Sequence, residues 1–377
     1  MISRTSTSRP SLRRFWGALA ALTMTAVVAI ATGPARALAT PPEQAERRFE
    51  VMTYNVYLGA DLQPLFGITD PIKLIDAAAA VFAHVDQVDF NVRAVAIARQ
   101  IVEASPDVVG LQELSLWQTA PLSNPAQLTT RYDFLEILLD ELERQGHRYR
   151  AVSVNENFSG ALPISFTTLG KFTDRNAIIV RGDLPTSELK TSNPMEGDFD
   201  TSLDVPIGGT TIEVQRGWAS VDVMIRGKWY QFFATHFEAF NPLIRLGQVG
   251  ELVELMSASP YPVVLAGDLN LYPLGARPED AAAWNLLAGA GFVDAWAESG
   301  GAVNAFTAGQ SDDLDNVPSA LDNRVDFVLH DSDAYVDGVP SSGDLVGEEL
   351  DDRTVTVPPL WPSDHAGVVV TLHIAKP

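Results

Sequence analysis

Short apolar runs recur along this chain, and the residue that ends one is repeatedly an amide, a carboxylate or an imidazole. Val51-Met52-Thr53-Tyr54 stops at Asn55, Val108-Val109-Gly110-Leu111-Gln112 at Glu113, and Phe232-Phe233-Ala234-Thr235 at His236. Val263-Val264-Leu265-Ala266-Gly267 runs into Asp268 and Asn270, Asp326 lies inside Arg324-Val325-Asp326-Phe327-Val328, and Asp364-His365 precedes the last apolar run. Such runs, bounded by turn formers, read as strands. A chain with many of them buries them in sheets, and their polar ends then lie at sheet rims.

Helical patterns interleave with these strands. Residues 91–104 carry Val92, Val95, Ala96, Ile101 and Val102 mainly on one face and stop at Ser105-Pro106. Residues 132–145 form a second amphipathic stretch with Gly146 as its stop, and 242–257 and 281–290 read as two more helices. Further strands are expected at 49–54, 107–111, 147–154, 176–181, 263–266, 325–329, 334–336 and 367–374. Those at 219–226 and 229–235 are joined through Gly227-Lys228 as a hairpin. No internal repeat or low-complexity tract interrupts the order. The pattern predicts one α/β (α+β) domain with a mixed, mostly antiparallel two-sheet core covered by helices.

The first residues stand apart. Arg4, Arg9, Arg13 and Arg14 precede an apolar run from Phe15 to about Ala31, followed by the small-residue steps Ala35-Arg36-Ala37 and Ala37-Leu38-Ala39. This layout predicts a secretory signal over 1–39, a polar linker over 40–48 and a catalytic domain over 49–377. The pattern leaves the general secretory and twin-arginine routes both open. With no cysteine, the exported chain is held by its core without disulfides, is not a lipoprotein, and uses neither thiolate catalysis nor cysteine-bound zinc. Losing five arginines and no acid with the signal takes the formal charge from −22 to −27. An acidic body gains no long-range attraction to a polyanion, which weighs against a tight nucleic-acid binder without excluding a nuclease. Acidic stretches at 312–315 and 348–352 lack a calcium-loop ligand ladder and read as solvated loops.

Taken singly, each polar strand end is ordinary: Glu113 a solvated end, Asn55 a turn former, His365 a surface histidine. Together their types suit one task. Carboxylate oxygens hold a hard cation, an amide donates to a phosphate oxygen, and imidazoles move protons.

Thr53-Tyr54-Asn55, Leu111-Gln112-Glu113, Gly267-Asp268-Leu269-Asn270, Arg324-Val325-Asp326-Phe327 and Ser363-Asp364-His365 occur in that order. In this the chain resembles the endonuclease/exonuclease/phosphatase superfamily, whose members include DNase I-like nucleases, abasic-site endonucleases, neutral sphingomyelinases and inositol polyphosphate 5-phosphatases. The resemblance spans roughly residues 49–374 and implies a DNase I-like four-layer sandwich, two mixed β-sheets flanked by helices. It implies Glu113 as the principal Mg²⁺ ligand, with Asn55 beside it and Asp364 as a further metal partner; Mn²⁺ or Ca²⁺ are the alternatives. By the same resemblance Asp268 orients or deprotonates the attacking water and Asn270 donates to phosphoryl oxygens. Asp326 fixes the tautomer of His365, which serves the phosphoryl group. Thr235-His236-Phe237-Glu238-Ala239, with Arg245 and Gln248 following, resembles the nuclease and sphingomyelinase branches, where a histidine protonates the leaving oxygen.

Arg175, in Asp174-Arg175-Asn176-Ala177, is a candidate phosphate contact or else a surface ion pair. Tyr57 stands where several nucleases carry an acid, and Asp61 would replace that acid only if the loop bends. His84, His147, His330 and His373 have no motif around them and read as structural or surface residues. The implied reaction is in-line attack of water on a phosphate ester. A phospholipid or sphingomyelin-type diester is favoured over DNA or RNA and over a small phosphorylated metabolite, with a catalytically silent binding protein as the non-enzymatic alternative. No obligate protein partner is implied. Peripheral membrane contact would draw on Trp117, Trp229 with Tyr230, Trp296 or Trp361, although burial is the usual fate of such residues.

Overall fold

In the first described strand, β1 (Arg48–Asn55), Phe49 and Val51 face one way and Met52 and Tyr54 the other, and all four are buried. A strand apolar on both faces needs a packed layer on each side. The computed structural model describes residues 48–301, 305–331 and 342–373 and supplies both layers. The expected signal over 1–39, the expected linker over 40–48 up to residue 47, and the strand at 334–336 lie outside the described residues, while Arg48 already belongs to β1.

After β1 come helices α1 (Pro71–Gln87) and α2 (Phe90–Ala104), then β2 (Val108–Gln112), β3 (Leu116–Pro121) and β4 (Thr129–Asp133). Helix α3 (Phe134–Arg144) leads to the long pair β5 (Tyr149–Pro163) and β6 (Thr168–Arg181). β7 (Leu189–Asp198), β8 (Leu203–Ile207), β9 (Thr210–Val214), β10 (Gly217–Ile225) and β11 (Lys228–His236) follow. The chain continues through α4 (Pro242–Ser257), β12 (Val263–Asp268), α5 (Ala281–Gly289), β13 (Phe292–Asp294) and α6 (Ala295–Glu298). The last described elements are β14 (Asp326–Asp331), β15 (Ser342–Val346) and β16 (Gly367–His373).

One sheet runs β15-β16-β1-β2-β6-β3-β4 with β5 also on β6; the other runs β13-β14-β12-β11-β10-β7. Only β1–β2 and β11–β12 pair in parallel among these neighbours; the rest are antiparallel. Phe49, Val51, Val108 and Ile178 of the first sheet meet Val221, Phe232, Val264 and Val328 of the second in a dry interior. Helices α1, α2 and α3 cover the outer face of the first sheet, and α4 and α5 that of the second. This is the four-layer sandwich the sequence implied.

The sheets approach closely at one point. A Cβ built on Gly110 would lie 3.2 Å from the Ala234 methyl and 3.3 Å from the Ala266 carbonyl oxygen, so small residues face each other there.

Several expectations need correction. The hairpin between β10 and β11 turns through Arg226-Gly227, both at positive φ, and Lys228 already pairs with Ile225. The helix expected from 132 begins at Phe134, because Tyr132 still pairs in β4 and Asp133 accepts the Glu136 N–H as its cap. The buried face of α2 centres on Ala94, Ile97 and Ile101 and includes Arg93, whereas Val95 is exposed. Helix α1, the β8–β9 hairpin and the outer reaches of β5 and β6 were not anticipated.

Candidate active site

Strand register brings the site together. Asn55 lies beside Gln112 in the parallel pair β1–β2, one residue before Glu113. His236 lies beside Asp268 in the parallel pair β11–β12, and Asp268 lies opposite Asp326 across β12–β14. Glu113 (φ 60°) and Asn270 (φ 49°) follow their strands in the left-handed region, which non-glycine residues seldom occupy, so each turns sharply at the rim.

Asn55 bridges two of the carboxylates. Its Nδ2 donates to Glu113 Oε1 at 3.2 Å and to Asp268 Oδ2 at 3.0 Å, and its Oδ1 accepts the Tyr57 N–H at 3.0 Å. Glu113 Oε2 accepts the Leu58 N–H at 2.6 Å. Asp268 Oδ1 accepts the Asn270 N–H at 3.0 Å, while Asn270 Nδ2 donates to the Phe237 carbonyl at 3.0 Å. Ser363 Oγ donates to the Asn55 carbonyl at 2.7 Å and lies 3.3 Å from Asp364 Oδ1, which ties the Asp364-His365 loop to β1.

The two imidazoles stand in different environments. His365 Nδ1 is 2.9 Å from Asp326 Oδ2, and its Nε2 is 3.8 Å from Asp268 Oδ2. Burial works against a charge on His365, but Asp326, Asp364 and Asp268 outweigh it and hold the ring protonated well above its ordinary range. His236 Nε2 is 3.3 Å from Asp268 Oδ2, and its Nδ1 lies 3.1 Å from a guanidinium nitrogen of Arg216. A guanidinium offers only donors, so Nδ1 accepts and the ring proton sits on Nε2. Burial, Arg216 and His365 all push His236 well below its ordinary pKa.

The carboxylates crowd one another. Burial, then Asp364 and Asp174, raise the Glu113 carboxyl to about 8, and burial with Asp326 raises Asp268 to about 6. Asp364 is raised chiefly by burial. Among the described residues, Oδ1 of Asp326 and Oδ1 of Asp174 are buried without a hydrogen-bond partner. Such a surplus of oxygen ligands fits a divalent cation. Among the described residues, Asp268, Asp326 and His365 form a trio of ligand atoms, all within 4.8 Å of one another. Within it, His365 Nδ1 is already engaged by Asp326 Oδ2 and its Nε2 faces Asp268. Glu113 and Asp364, with Asn55 beside Glu113, remain the oxygen-bearing candidates.

Three neighbours carry no sequence signal of their own. Arg216 lies between β9 and β10 and reaches both His236 and, at 3.4 Å, Asp174 Oδ2. Asp174 also accepts from Asn157 Nδ2 at 3.1 Å, across the β5–β6 pair. Arg93, fully buried in α2, donates to the carbonyls of Val56, Tyr57, Val88 and Pro362 at 2.7–3.0 Å and so clamps the loops that carry Asn55 and Asp364. Arg175 turns away from the cleft and pairs with Asp133 at 2.6 Å, a buried ion pair instead of a phosphate contact. Trp117, Tyr230, Trp296 and Trp361 are core residues, and Trp229 stacks on Tyr261. His84 meets the Asp312 carbonyl at 3.0 Å and fastens one acidic loop to α1; in the other, Asp352 accepts the N–H groups of Gly347 and Glu349.

Glu113, Asp174, His236, Asp268, Asp364 and His365 line a single cavity of about 450 Å³ that apolar side chains share.

A model of the Endonuclease/Exonuclease/phosphatase family matches residues 52–365. No curated protein matches the chain. Among solved structures, a family protein from Bacteroides thetaiotaomicron superposes with a TM-score of 0.54 at 17% identity, covering 87% of this chain and 98% of that one. One from Leptotrichia buccalis gives 0.54 at 15% identity over 86% and 100% of the two chains. One from Beutenbergia cavernae gives 0.50 at 19% identity over 88% and 72%. At these identities the likeness speaks for the fold.

Proposed function

The chain belongs to the endonuclease/exonuclease/phosphatase family, and from that premise we propose that it is an exported phosphodiesterase that depends on a divalent cation and cleaves a phospholipid- or sphingomyelin-type ester. The observation that carries the reading is the pair of imidazoles beside one shared carboxylate, Asp268, one backed by the Arg216 guanidinium and the other by the Asp326 carboxylate. Proton donors and acceptors of unlike character around one point are what in-line hydrolysis requires.

In this reading Asp268 orients the attacking water and takes its proton. Both its oxygens are already aimed, one by the Asn270 N–H and the other by Asn55 Nδ2. The water oxygen forms a bond to phosphorus as the bond to the leaving oxygen breaks. His365, charged and backed by Asp326, donates from Nε2 toward the negative charge that grows on the phosphoryl oxygens. His236 offers the Nε2 proton to the leaving oxygen, and the proton that Asp268 takes from the water crosses the 3.3 Å to Nε2 in its place, so the ring stays neutral with Arg216 on Nδ1. Asn270 lies at the rim as a further amide donor. Glu113, Asp364 and Asn55 are the residues that would hold a cation, Mg²⁺ first, which supplies charge neutralisation at the phosphoryl group when bound.

Net charge favours a lipid over a nucleic acid, because a body that falls from −22 to −27 when the five arginines of the signal are lost repels a polyanion. Phe240, 55% exposed, and Leu243, 76% exposed, stand where α4 begins, and Phe240 lines the cavity mouth. Such a patch suits peripheral contact with a lipid surface. Removal of residues 1–39 on export completes the proposal.

The test is a substrate panel with purified mature protein, Mg²⁺ and an EDTA control. It contains sphingomyelin and phosphatidylcholine vesicles, plasmid DNA, RNA and a chromogenic phosphodiester. Turnover of vesicles and the chromogenic ester, abolished by EDTA and restored by Mg²⁺, is expected. Cleavage confined to DNA or RNA would replace the lipid reading with a nuclease, and inactivity throughout would leave a silent binding protein.

A further inference from the structure

Beyond the phosphate-handling rim, the cleft deepens into a space that polar chemistry does not need. Its walls come from elements that the rim does not require: α1, the β8–β9 hairpin, and the outer halves of β5 and β6. Ala78 and Val81 face it from α1, Ile207 and Ile212 from the hairpin, and Phe158 and Phe172 from β5 and β6. The cavity is built, not left over. Gly67 N–H donates to the Pro206 carbonyl at 2.6 Å and Gly208 N–H to the Ile68 carbonyl at 2.8 Å, so the hairpin is laced to the loop leading into α1. At Gly170, any Cβ would come within 2.4 Å of the Phe82 ring, so glycine there lets α1 seat against β6.

Charged groups share the space, and Asp61 and Asp312 are among them. Glu113, Asp174, Arg216, His236, Asp364 and His365 line the same continuous space as these apolar walls. A pocket of about 450 Å³ falls in the range of small-molecule sites, which are mostly apolar with a few converging polar groups. A molecule that fills it and presents a phosphate to the rim is an amphiphile.

We infer that the apolar walls under α1 and the β8–β9 hairpin bind one hydrocarbon chain of the molecule that carries the scissile phosphate ester. The inference rests on the phosphoesterase reading for its rim and adds a chain-binding subsite to it. Water leaves the apolar walls when the chain enters, and the gain grows with each methylene buried until the space is full.

A series of p-nitrophenyl alkyl phosphodiesters, methyl to dodecyl, each below its micelle-forming concentration, reads this directly. kcat/KM should climb by up to about fourfold per added methylene and then level off. Ile212→Glu sets a charge in the hairpin wall, and Ala78→Leu fills the cavity from α1. Each should flatten the climb while methyl-ester turnover stays within about twofold, since neither residue touches the phosphate end. Should Ala78→Leu fail to fold, Ile212→Glu, on a half-exposed hairpin, still decides. A flat series in the parent, or variants that keep its slope, would overturn the inference. If no ester is hydrolysed at all, calorimetric titration with alkyl phosphates of rising length separates the two claims. Affinity that grows with chain length and is lost in Ile212→Glu would keep the cavity assignment and remove only the catalytic reading; affinity independent of length would remove the cavity assignment as well.

Discussion

His236 and His365 both lie within 4 Å of Asp268, yet burial and neighbours drive them apart: Arg216 beside one ring, Asp326 beside the other. Separate tasks for two like residues follow from environment alone. Replacing His365 with Ala, or Glu113 with Gln, should lower kcat by about 10²–10⁴-fold, checked by steady-state kinetics on the chromogenic diester alongside circular dichroism. Near-native turnover in either variant would remove the assigned roles. Glu113→Gln carries a second signature. Without cation it relieves carboxylate crowding, so in EDTA it should melt at or above the parent temperature, and with Mg²⁺ the order should reverse. Arg216→Ala frees the tautomer of His236. A loss of about 10–100-fold in kcat with little change in KM is expected, partly rescued by Arg216→Lys, which still donates. A change in KM alone would mark Arg216 as a substrate-binding residue instead.

Elements show where patterns speak and where they are silent. Helices α4 and α5 were legible almost to the residue, because Asn241-Pro242 caps one and Gly291 at φ 89° follows the other. Helix α1 carries as clear a start signal, since Asp70 accepts from Ile72 N and Lys73 N with Pro71 at the first turn, but its alanine-rich middle blurs the period. β8 and β9 are only five residues each, yet Leu203, Val205 and Ile207 alternate inward with Asp204 and Pro206 outward, so the signal for this hairpin was present and too short to stand out. Arg93 breaks the apolar face of α2 while being wholly buried, so pattern reading placed that face wrongly. Burial lowers its pKa only to about 10, and carbonyl acceptors satisfy a charge that the sequence leaves looking exposed. Asp133 has two duties, capping α3 and pairing with buried Arg175. Asp133→Ala should therefore cost about 2–4 kcal/mol in urea unfolding, well above a lone cap. A loss under about 1 kcal/mol would mean the ion pair contributes little.

At the scale of the whole molecule, the layer order was readable because strands apolar on both faces demand cover, and the rim was readable because each strand stops on a polar residue. Arg216 and Asp174 were not, since their partners are set by a fold that brings positions 174, 216 and 236 together across two sheets. The surface charge has its own outcome. Without the five arginines of its signal the body falls from −22 to −27 and repels anionic vesicles, so their turnover should rise between about 10 and 150 mM salt as the screening length falls from roughly 30 to 8 Å. Zwitterionic vesicles should respond far less, and equal responses would mean that net charge does not govern approach.

His236, Asp268 and Asp326 share one rung across three hydrogen-bonded strands. A slip of one rung would turn a strand's reactive side chain to the opposite face, so no half-aligned sheet holds a working fraction of the chemistry. Turnover regained after dilution from denaturant would then report the moment when that last alignment locks, more sharply than any spectroscopic average over the chain.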